Sequence, residues 1–287
     1  MNYFNNKFWV DKRVLVTGHT GFKGSWLFHL LKKLNAHVSG YSLAPDTNPS
    51  LFKSLENTNN SYIGDIRDKE FLNKTILKIK PEIVFHLAAQ PLVLSSYKDP
   101  VETYETNVMG TINLLDILRQ TDGIKAIVII TSDKVYKNNE WKYAYRENDK
   151  LGGHDPYSAS KACVEIISNS YKNSFFKNSN TYISTARAGN VIGGGDWSNY
   201  RLIPDIVRSV YENASLLIRH PKATRPWQHV VEPLFGYLDL GIKTYLKEIK
   251  NGESFNFGPT SDERRTVEQI IEKFLKIKNN SEINITY

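Results

Sequence analysis

The sequence predicts an α/β fold: a Rossmann-type, doubly wound parallel sheet with a smaller mixed α/β substrate lobe. Short apolar runs alternate with amphipathic segments over the first part of the chain, which is typical of a parallel sheet with helices on both faces. A glycine-bearing turn joins the first apolar run to the first helix-like segment. Three consecutive glycines at residues 193–195 then interrupt the pattern, and short helices and isolated strands follow.

Each predicted element rests on the spacing of its apolar residues. Apolar runs typical of buried strands occupy residues 13–17, 37–43, 83–88 and 126–131. Segments with a helix-like apolar pattern occupy residues 25–34, 68–78 and 103–120, and later 203–212, 233–248 and 266–275. Isolated strands are predicted over residues 216–219 and 254–257. We therefore predict a first domain over residues 1–188 and a smaller lobe over residues 189–287.

The composition argues against several classes of protein. With 40% hydrophobic and 23% charged residues, the 287-residue chain is typical of a folded globular protein. The net charge of +7 is scattered without an arginine-rich arm, so no nucleic-acid partner is predicted. No apolar run is long enough to cross a membrane, and residues 1–11 lack the apolar core of a signal peptide. A single cysteine, Cys163, and histidines without metal-ligand spacing favour a cytoplasmic protein with no metal.

The first turn predicts a dinucleotide site. Gly18, Gly21 and Gly24 follow the first strand directly and open the first helix. Glycines there let the backbone approach a diphosphate, whose charge is stabilised at a helix N-terminus. The position after the second strand that holds an acidic residue in many NAD sites is Ser42 here, so this position leaves NAD and NADP both open. Asp65, after the next predicted strand, is either a partner for the adenine amine or a helix cap.

A second motif predicts catalysis. Tyr157 and Lys161 are four residues apart and share one face of a helix. An ammonium near a phenol lowers the phenol pKa, which suits Tyr157 as a general base on a sugar hydroxyl. The spacing alone occurs on many exposed helices. Together with the glycine turn and with the polar run 131–134 at the end of a strand, it indicates a catalytic pair.

These motifs carry a family resemblance that covers nearly the whole chain. The Thr-Gly-x-x-Gly-Phe-x-Gly run at 17–24, His-Leu-Ala-Ala-Gln at 86–90, Thr-Asn-Val at 106–108, Thr-Ser-Asp at 131–133 and Tyr-x-x-x-Lys at 157–161 resemble the extended short-chain dehydrogenase/reductase family. Segments 40–43, 133–136, 189–197 and 225–230 are similar to its CDP-glucose 4,6-dehydratase branch. The resemblance implies NAD as cofactor, in spite of Ser42, and CDP-glucose as substrate. The implied product is CDP-4-dehydro-6-deoxyglucose, a precursor of deoxysugars in O-antigen lipopolysaccharide.

The resemblance also implies a role for each catalytic residue. Tyr157 takes the proton of the sugar 4-hydroxyl with the help of Lys161, and Ser132 hydrogen bonds to the 4-oxygen. Many members of the branch carry Asp-Glu for the elimination of water, whereas this chain has Asp133-Lys134. We assign Asp133 as the acid and Lys134 as the base. A lysine base needs a lowered pKa, and the alternative is that Lys134 is an ordinary solvated lysine.

The remaining implied contacts fall into two groups. The residues expected at the cofactor are Gly18, Thr20, Gly21, Phe22, Gly24, Asp65, Ile66, Leu87, Ala88, Ala89, Asn107, Tyr157 and Lys161. Those expected at the nucleotide sugar are Gln90, Asn190, Arg201, Leu202, Arg219 and Arg225. A guanidinium pairs well with a diphosphate, which favours the two later arginines for that contact, although each is alternatively a surface residue.

Several alternatives stay open on the sequence. The chain is alternatively a 4,6-dehydratase or epimerase of another nucleotide sugar, or a truncated, non-catalytic NAD-binding protein. The last alternative arises because the family usually extends several tens of residues further, and residues 276–287 show no closing strand. The resemblance further implies a homodimer or homotetramer that assembles through a helix bundle, formed by residues 103–120 and 157–176.

Overall fold

The computed structural model describes residues 7–55, 60–259, 265–277 and 285–286. The strands are β1 Arg13–Thr17, β2 His37–Ser42, β3 Ser61–Ile63, β4 Ile83–His86, β5 Ala126–Ile130, β6 Tyr182–Ala188, β7 Val191–Ile192, β8 Leu216–Leu217, β9 Thr224–Arg225, β10 Gln228–His229, β11 Glu253–Phe257, β12 Arg265–Thr266 and β13 Ile285–Thr286. The α-helices are α1 Phe22–Lys33, α2 Leu51–Ser54, α3 Lys69–Ile79, α4 Val93–Lys98, α5 Pro100–Tyr104, α6 Gly110–Leu118, α7 Pro156–Ser174, α8 Leu202–Glu212, α9 Val231–Leu246 and α10 Val267–Ile277.

Within these residues, a seven-stranded parallel sheet forms the centre of the fold. Its order is β11-β6-β5-β4-β1-β2-β3, and every pairing in it is parallel. The chain runs outward from β1 to β3 on one side and from β4 to β11 on the other, so the direction reverses between β1 and β4. Ligands of such sheets bind at the carboxyl ends of the strands that flank this reversal. The predicted Rossmann-type fold is confirmed.

The two faces of the sheet bury separate cores. Along β1, Val14 and Val16 pack with Leu27 of α1, and α9 covers the same face. Leu15 points to the opposite face and packs with Leu72 of α3. All five side chains are fully buried, and each contributes about 1.5–3 kcal/mol relative to an exposed position. Burial on both faces explains why the strands read as continuous apolar runs rather than as an alternation.

Two expectations about the helices and strands need correction. The segment 103–120 is not one regular helix, because α5 begins at Pro100 with Asp99 as its cap and a π-helical turn, Glu105–Met109, separates it from α6. The strand expected at 254–257 is not isolated in the second lobe, since β11 pairs with β6 at the edge of the main sheet. The predicted boundary after residue 188, which assigns β11 and the sheet-packed α9 to the smaller lobe, stays a prediction.

The smaller lobe is built on its own apolar cluster. Ile206 of α8, Leu216 of β8, Ile218 and Ile271 of α10 are buried together. β13 pairs in parallel with β8, so the expectation that residues 276–287 contain no strand was wrong. A pairing of only two residues leaves almost no periodic signal in the sequence. Residues 278–284 and 287 lie outside the described part of the chain.

Candidate active site

A cleft of about 1010 Å³ opens between the carboxyl edge of the sheet and the smaller lobe. The predicted site residues that line it are Gly18, Thr20, Gly21, Phe22, Gly24, Asp65, Ile66, Leu87, Ala88, Ala89, Ser132, Asp133, Lys134, Tyr157, Lys161, Asn190, Arg201, Leu202, Arg219 and Arg225. Asn107 and Gln90 are not part of its wall. Residues far apart in sequence therefore meet in one cavity, as the motifs predicted, while their individual roles stay predictions.

The glycine turn fits a diphosphate. Gly18 has a φ of +73°, and a Cβ there would lie 2.7 Å from the Ala88 nitrogen. A Cβ on Gly24 would lie 2.0 Å from the Gly18 oxygen, so both glycines are required by backbone packing. A Cβ on Gly21 would meet only that oxygen, at 3.4 Å, and would otherwise occupy the cleft. No side chain caps the N-terminus of α1, which leaves its backbone N–H groups to a ligand anion.

The part of the cleft between the glycine turn and the end of β2 is polar. Thr20 Oγ1 donates to the Leu43 carbonyl at 2.8 Å and accepts from Ser42 Oγ at 2.8 Å. Asp65 lines the cleft beside them and pairs with Arg67 at 2.6 Å. Hydrogen bonds from Arg67 hold the Asp65 pKa below its usual range, so the carboxylate is available as an acceptor. The cap of α3 is Asp68 instead, which removes the alternative that Asp65 is a helix cap.

α7 presents Tyr157 and Lys161 to the cleft. Asp155 caps the helix by accepting from the Ser158 amide at 3.0 Å, which fixes where the helix begins. Burial raises the Tyr157 pKa to about 12, against a hydrogen bond with Ser132 that lowers it. The expectation of a lowered tyrosine pKa is therefore wrong for this structure, because desolvation outweighs the favourable contacts. Burial, together with the charge of Lys23, lowers the Lys161 pKa to about 8.

Ser132 caps a 3-10 turn, Asp133–Val135, that follows β5 after Thr131. Ser132 Oγ accepts from the Lys134 amide at 3.2 Å and donates to Asp133 Oδ1 at 3.1 Å. Burial raises the Asp133 pKa, against the charges of Lys134, Lys23 and Arg225. A carboxyl with a raised pKa suits a general acid. Lys134 Nζ lies 5.8 Å from the centroid of the Tyr157 ring, so the predicted acid and base both stand beside the predicted tyrosine.

Lys23 is a cleft residue to which the sequence assigned no role. It lines the cavity, and burial and the charge of Arg201 lower its pKa to about 8 while Asp133 opposes them. Lys23 is the second residue of α1, where the positive end of the helix dipole disfavours a cation by about 0.3–1 kcal/mol. A lysine at that unfavourable position indicates that the negative charge of a ligand or a carboxylate lies nearby and compensates its charge. This was the sequence signal that could have identified Lys23.

The smaller lobe supplies cations and aromatic rings. Arg201 Nη1 lies 3.1 Å from Asp196 Oδ1, and Arg225 Nη1 donates to the Thr224 carbonyl at 2.8 Å. The cleft wall here also contains aromatic residues that the sequence analysis did not select: Trp197, Tyr200 and Trp227. Aromatic side chains interleaved with arginines suit a ligand that carries both a base and a diphosphate.

Asn107 and Gln90 support the cleft from behind its wall. The Asn107 amide accepts from the Gln90 backbone at 2.8 Å and donates to Ser160 Oγ at 2.8 Å. The Gln90 side chain donates to Thr103 Oγ1 at 2.9 Å and accepts from the Leu92 amide at 2.6 Å. Both side chains thus bond to protein partners, and they tie the loop after β4 to α7. Their predicted contacts with cofactor and sugar stay predictions.

Over the described residues, no group of three or more His, Cys, Asp or Glu side chains is arranged to hold a metal ion. Over the same residues, no helix has the length and apolar character needed to span a bilayer.

The sequence matches the model of a known family. Residues 14–239 match the NAD dependent epimerase/dehydratase family. The chain belongs to this family. Its members include the CDP-glucose 4,6-dehydratase of Salmonella typhimurium, which is 52% identical over 95% of this chain and 78% of its own length. The dTDP-D-glucose 4,6-dehydratase of Dictyostelium discoideum is 28% identical over 86% of this chain and 58% of its own length.

Solved structures of the epimerase/dehydratase family have the same fold. The epimerase Mth375 of Methanothermobacter thermautotrophicus superposes with a TM-score of 0.84 at 25% identity, covering 100% of this chain and 82% of its own. A dTDP-glucose 4,6-dehydratase of Bacillus anthracis, solved in complex with NAD, superposes with a TM-score of 0.79 at 24% identity, covering 96% and 83%. The family relationship makes NAD the cofactor, and the glycine turn described above fits its diphosphate.

Proposed function

We propose that this chain is a lyase that dehydrates CDP-glucose to CDP-4-dehydro-6-deoxyglucose with NAD as a transient hydride acceptor. The observation that carries the proposal is the grouping of Tyr157, Lys161, Ser132, Asp133 and Lys134 in one cleft. The 52% identical relative named CDP-glucose 4,6-dehydratase supports both the reaction and the nucleotide. A place in the synthesis of deoxysugars for O-antigen is part of the proposal.

The first step needs a base and a stabilised oxygen at the sugar C4. When bound, NAD supplies the acceptor for the C4 hydride. Tyr157 removes the proton of the 4-hydroxyl, and Ser132, its hydrogen-bond partner, stabilises the 4-oxygen. Lys161 and the glycine turn would hold the cofactor. Oxidation at C4 gives a ketone, which makes the C5 proton acidic.

The second step breaks the C6–O bond. Lys134 accepts the proton from C5, and Asp133 delivers a proton to the departing 6-hydroxyl, so one molecule of water leaves. Burial raises the pKa of Asp133, which favours its acid form and suits it to this transfer. The hydride would return to C6 and the proton held by Lys134 would return to C5, which completes the product without net oxidation of the sugar. Epimerisation at C4 needs no acid at C6, so the pair Asp133-Lys134 favours dehydration.

The nucleotide handle is assigned to the smaller lobe. Arg225 and Arg219 would pair with the diphosphate, and Asn190, Arg201 and Leu202 would line the sugar-nucleotide site. Guanidinium groups bind two phosphate oxygens at once, which fixes the orientation of the sugar relative to Tyr157.

A homodimer or homotetramer through a helix bundle belongs to the same proposal. The outer surfaces of α5, the π-helical turn and α7 expose large apolar side chains: Val101 at 65%, Met109 at 48% and Ile166 at 58%. Exposed apolar side chains on neighbouring helices favour helix-to-helix association. Size-exclusion chromatography with light scattering measures the subunit number. A cytoplasmic location is also proposed, supported by the single cysteine.

The test uses the purified protein and three substrates. Bound NAD is assayed first, and CDP-, UDP- and dTDP-glucose are then incubated separately and followed by the alkali-induced absorbance of a 4-keto sugar. A signal with CDP-glucose alone is expected. A signal with another donor alone would reassign the nucleotide, and a change of the C4 configuration without a keto product would indicate an epimerase. Bound NAD without turnover of any donor would contradict the proposed activity.

A further inference from the structure

Three successive residues at the end of β5 each contact a different residue of α7. Lys161 Nζ donates to the Ile130 carbonyl at 3.2 Å, Thr131 Oγ1 donates to Glu165 Oε1 at 2.5 Å, and Ser132 hydrogen bonds with Tyr157. The three α7 residues are spaced by four and form one stripe on the helix. Two of the three contacts contain predicted catalytic residues. The middle one joins Thr131, which lines the cleft, to Glu165, which does not, and it has no role in the proposed chemistry.

Glu165 is anchored independently of β5. Its side chain is 2% exposed, and it accepts from Arg187 Nε at 3.0 Å and from Arg187 Nη2 at 2.8 Å. Thr185 Oγ1 donates to the same carboxylate at 2.8 Å. Arg187 is fixed in turn by Tyr136, whose hydroxyl accepts from Nη1 at 2.8 Å. A buried carboxylate that accepts hydrogen bonds at both oxygens is held in place, because a displacement would leave a buried charge without partners.

We propose that Glu165 is a positioning residue for the reaction. Its hydrogen bond with Thr131 fixes the end of β5 against α7 and thereby sets the distance between Ser132-Asp133 and Tyr157. The inference rests on the proposed function, because it assigns the geometry of that same site. Reacting groups tolerate little displacement: an error of about 1 Å can reduce the rate by about 10²-fold. The hydroxyl of Thr131 directly precedes the catalytic turn, so its bond controls where that turn begins.

The chain offers a matched pair of variants. Thr131 and Thr185 are both buried, at 4% and 3% exposure, and both donate a hydroxyl to Glu165. Thr131 precedes the catalytic turn after β5, whereas Thr185 lies on β6. Thr131→Val and Thr185→Val each remove one donor, keep the β-branched shape and leave the Glu165–Arg187 pair intact. A merely structural role of the network predicts the same behaviour for both variants.

The positioning role predicts different behaviour. Thr131→Val should lower kcat for keto-sugar formation about 10-fold with KM unchanged, and the pH profile of kcat should shift. Thr185→Val should keep kcat within about 2-fold of the parent and leave the pH profile in place, although both variants melt at a lower temperature. Thr131→Ser, which restores the hydroxyl, should restore kcat. Equal losses of kcat in the two valine variants, or an unchanged kcat in Thr131→Val, would overturn the inference.

A binding measurement separates this inference from the proposed function. Lys161 is held by Ile130, one residue before Thr131, so Thr131→Val should weaken NAD binding about 3-fold or more while Thr185→Val leaves it unchanged. Titration calorimetry with NAD gives this comparison without turnover. Inactivity of the parent protein on all nucleotide sugars would contradict the proposed function alone. Equal NAD affinity of the two valine variants would then contradict the positioning role.

Discussion

The ammonium of Lys134 lies 5.8 Å from the ring centroid of Tyr157. In the same turn, Ser132 Oγ donates to Asp133 Oδ1 at 3.1 Å and accepts from the Lys134 amide at 3.2 Å. This relationship places the candidate base of the elimination beside the candidate base of the oxidation. The two proposed proton transfers, one from the 4-hydroxyl and one from C5, involve neighbouring positions of the sugar and require such proximity. The turn after β5 and the first turns of α7 therefore act as one unit, and substitutions in either should affect distinct steps.

Replacing Tyr157 with Phe should abolish the first proton transfer. General-base assistance contributes about 10²–10⁴-fold, so turnover of CDP-glucose should fall by that factor while the fold persists, because the ring is kept. Keto-sugar formation measures the effect. Tyr143→Phe is the matched control, since Tyr143 is 79% exposed and should leave the rate unchanged. A Tyr157→Phe protein with normal turnover would remove this residue from the chemistry.

Replacing Lys134 with Met should stop proton removal at C5. Methionine keeps the length of the side chain and its apolar stem but cannot accept a proton. Incubation in D2O followed by mass spectrometry should show loss of deuterium incorporation at C5 together with loss of product. Lys137→Met, at an exposed position three residues further on, serves as the control. Normal C5 exchange in the Lys134 variant would support the alternative of a solvated lysine.

Replacing Gly21 with Ala should weaken NAD binding without unfolding the protein. The added methyl group fits against the protein, with its nearest neighbour at 3.4 Å, but it occupies the cleft where the diphosphate is expected. We expect a loss of NAD affinity of about 10-fold or more, equivalent to about 1.4 kcal/mol, with an unchanged melting temperature. Gly258→Ala provides the control, because a Cβ added there would have no atom within 4 Å apart from those of Gly258 and its chain neighbours. Unchanged NAD affinity in Gly21→Ala would move the cofactor elsewhere.

The buried ring of His86 should make stability depend on pH. Thr17 Oγ1 donates to Nδ1 at 2.7 Å, and Nε2 donates to Thr111 Oγ1 at 3.0 Å because that hydroxyl already donates to the Asn107 carbonyl. Burial, with a contribution from Lys161, lowers the His86 pKa to about 3. Between pH 6.5 and about 3 the unfolded chain binds a proton that the folded chain does not, so stability falls as the pH falls.

The slope of the free energy of unfolding against pH that is expected from the His86 ring alone is about 1.4 kcal/mol per pH unit. Denaturant unfolding between pH 4.5 and 7 measures it. His86→Asn should reduce the slope, because the titrating ring is removed. Val84→Ala, a cavity-forming change in the same strand, should lower stability equally at every pH. A slope that persists in His86→Asn would assign the pH dependence to other groups.

Local motifs made much of this site predictable from the sequence. Gly18, Gly21 and Gly24 act within one turn, and Tyr157 and Lys161 within one helix, so their spacing carries the information. The Glu165–Arg187 pair joins residues from different elements, and nothing in the local pattern of either predicts it. The sheet membership of β11 is likewise decided by pairing with β6 across the whole of α9. A motif does not show which way its side chains point, so the bonds of Asn107 and Gln90 to other protein groups could not be predicted from the sequence.

Replacing Lys23 with Met should move the titration of Lys161. The charge of Lys23 contributes to lowering the Lys161 pKa to about 8, after burial, so removing that charge should raise the Lys161 pKa. Loss of the Lys161 ammonium at alkaline pH weakens the contact with the cofactor, so NAD affinity should fall as the pH rises. This alkaline limb of the affinity curve should move to higher pH in Lys23→Met. NAD titrations between pH 7 and 10 measure the limb directly. Lys23→Arg keeps the positive charge and should leave it near its original position, since the effect is electrostatic rather than steric. If the limb stays in place in both variants, the alkaline loss of binding belongs to another group of the cleft, and the coupling between α1 and α7 is absent.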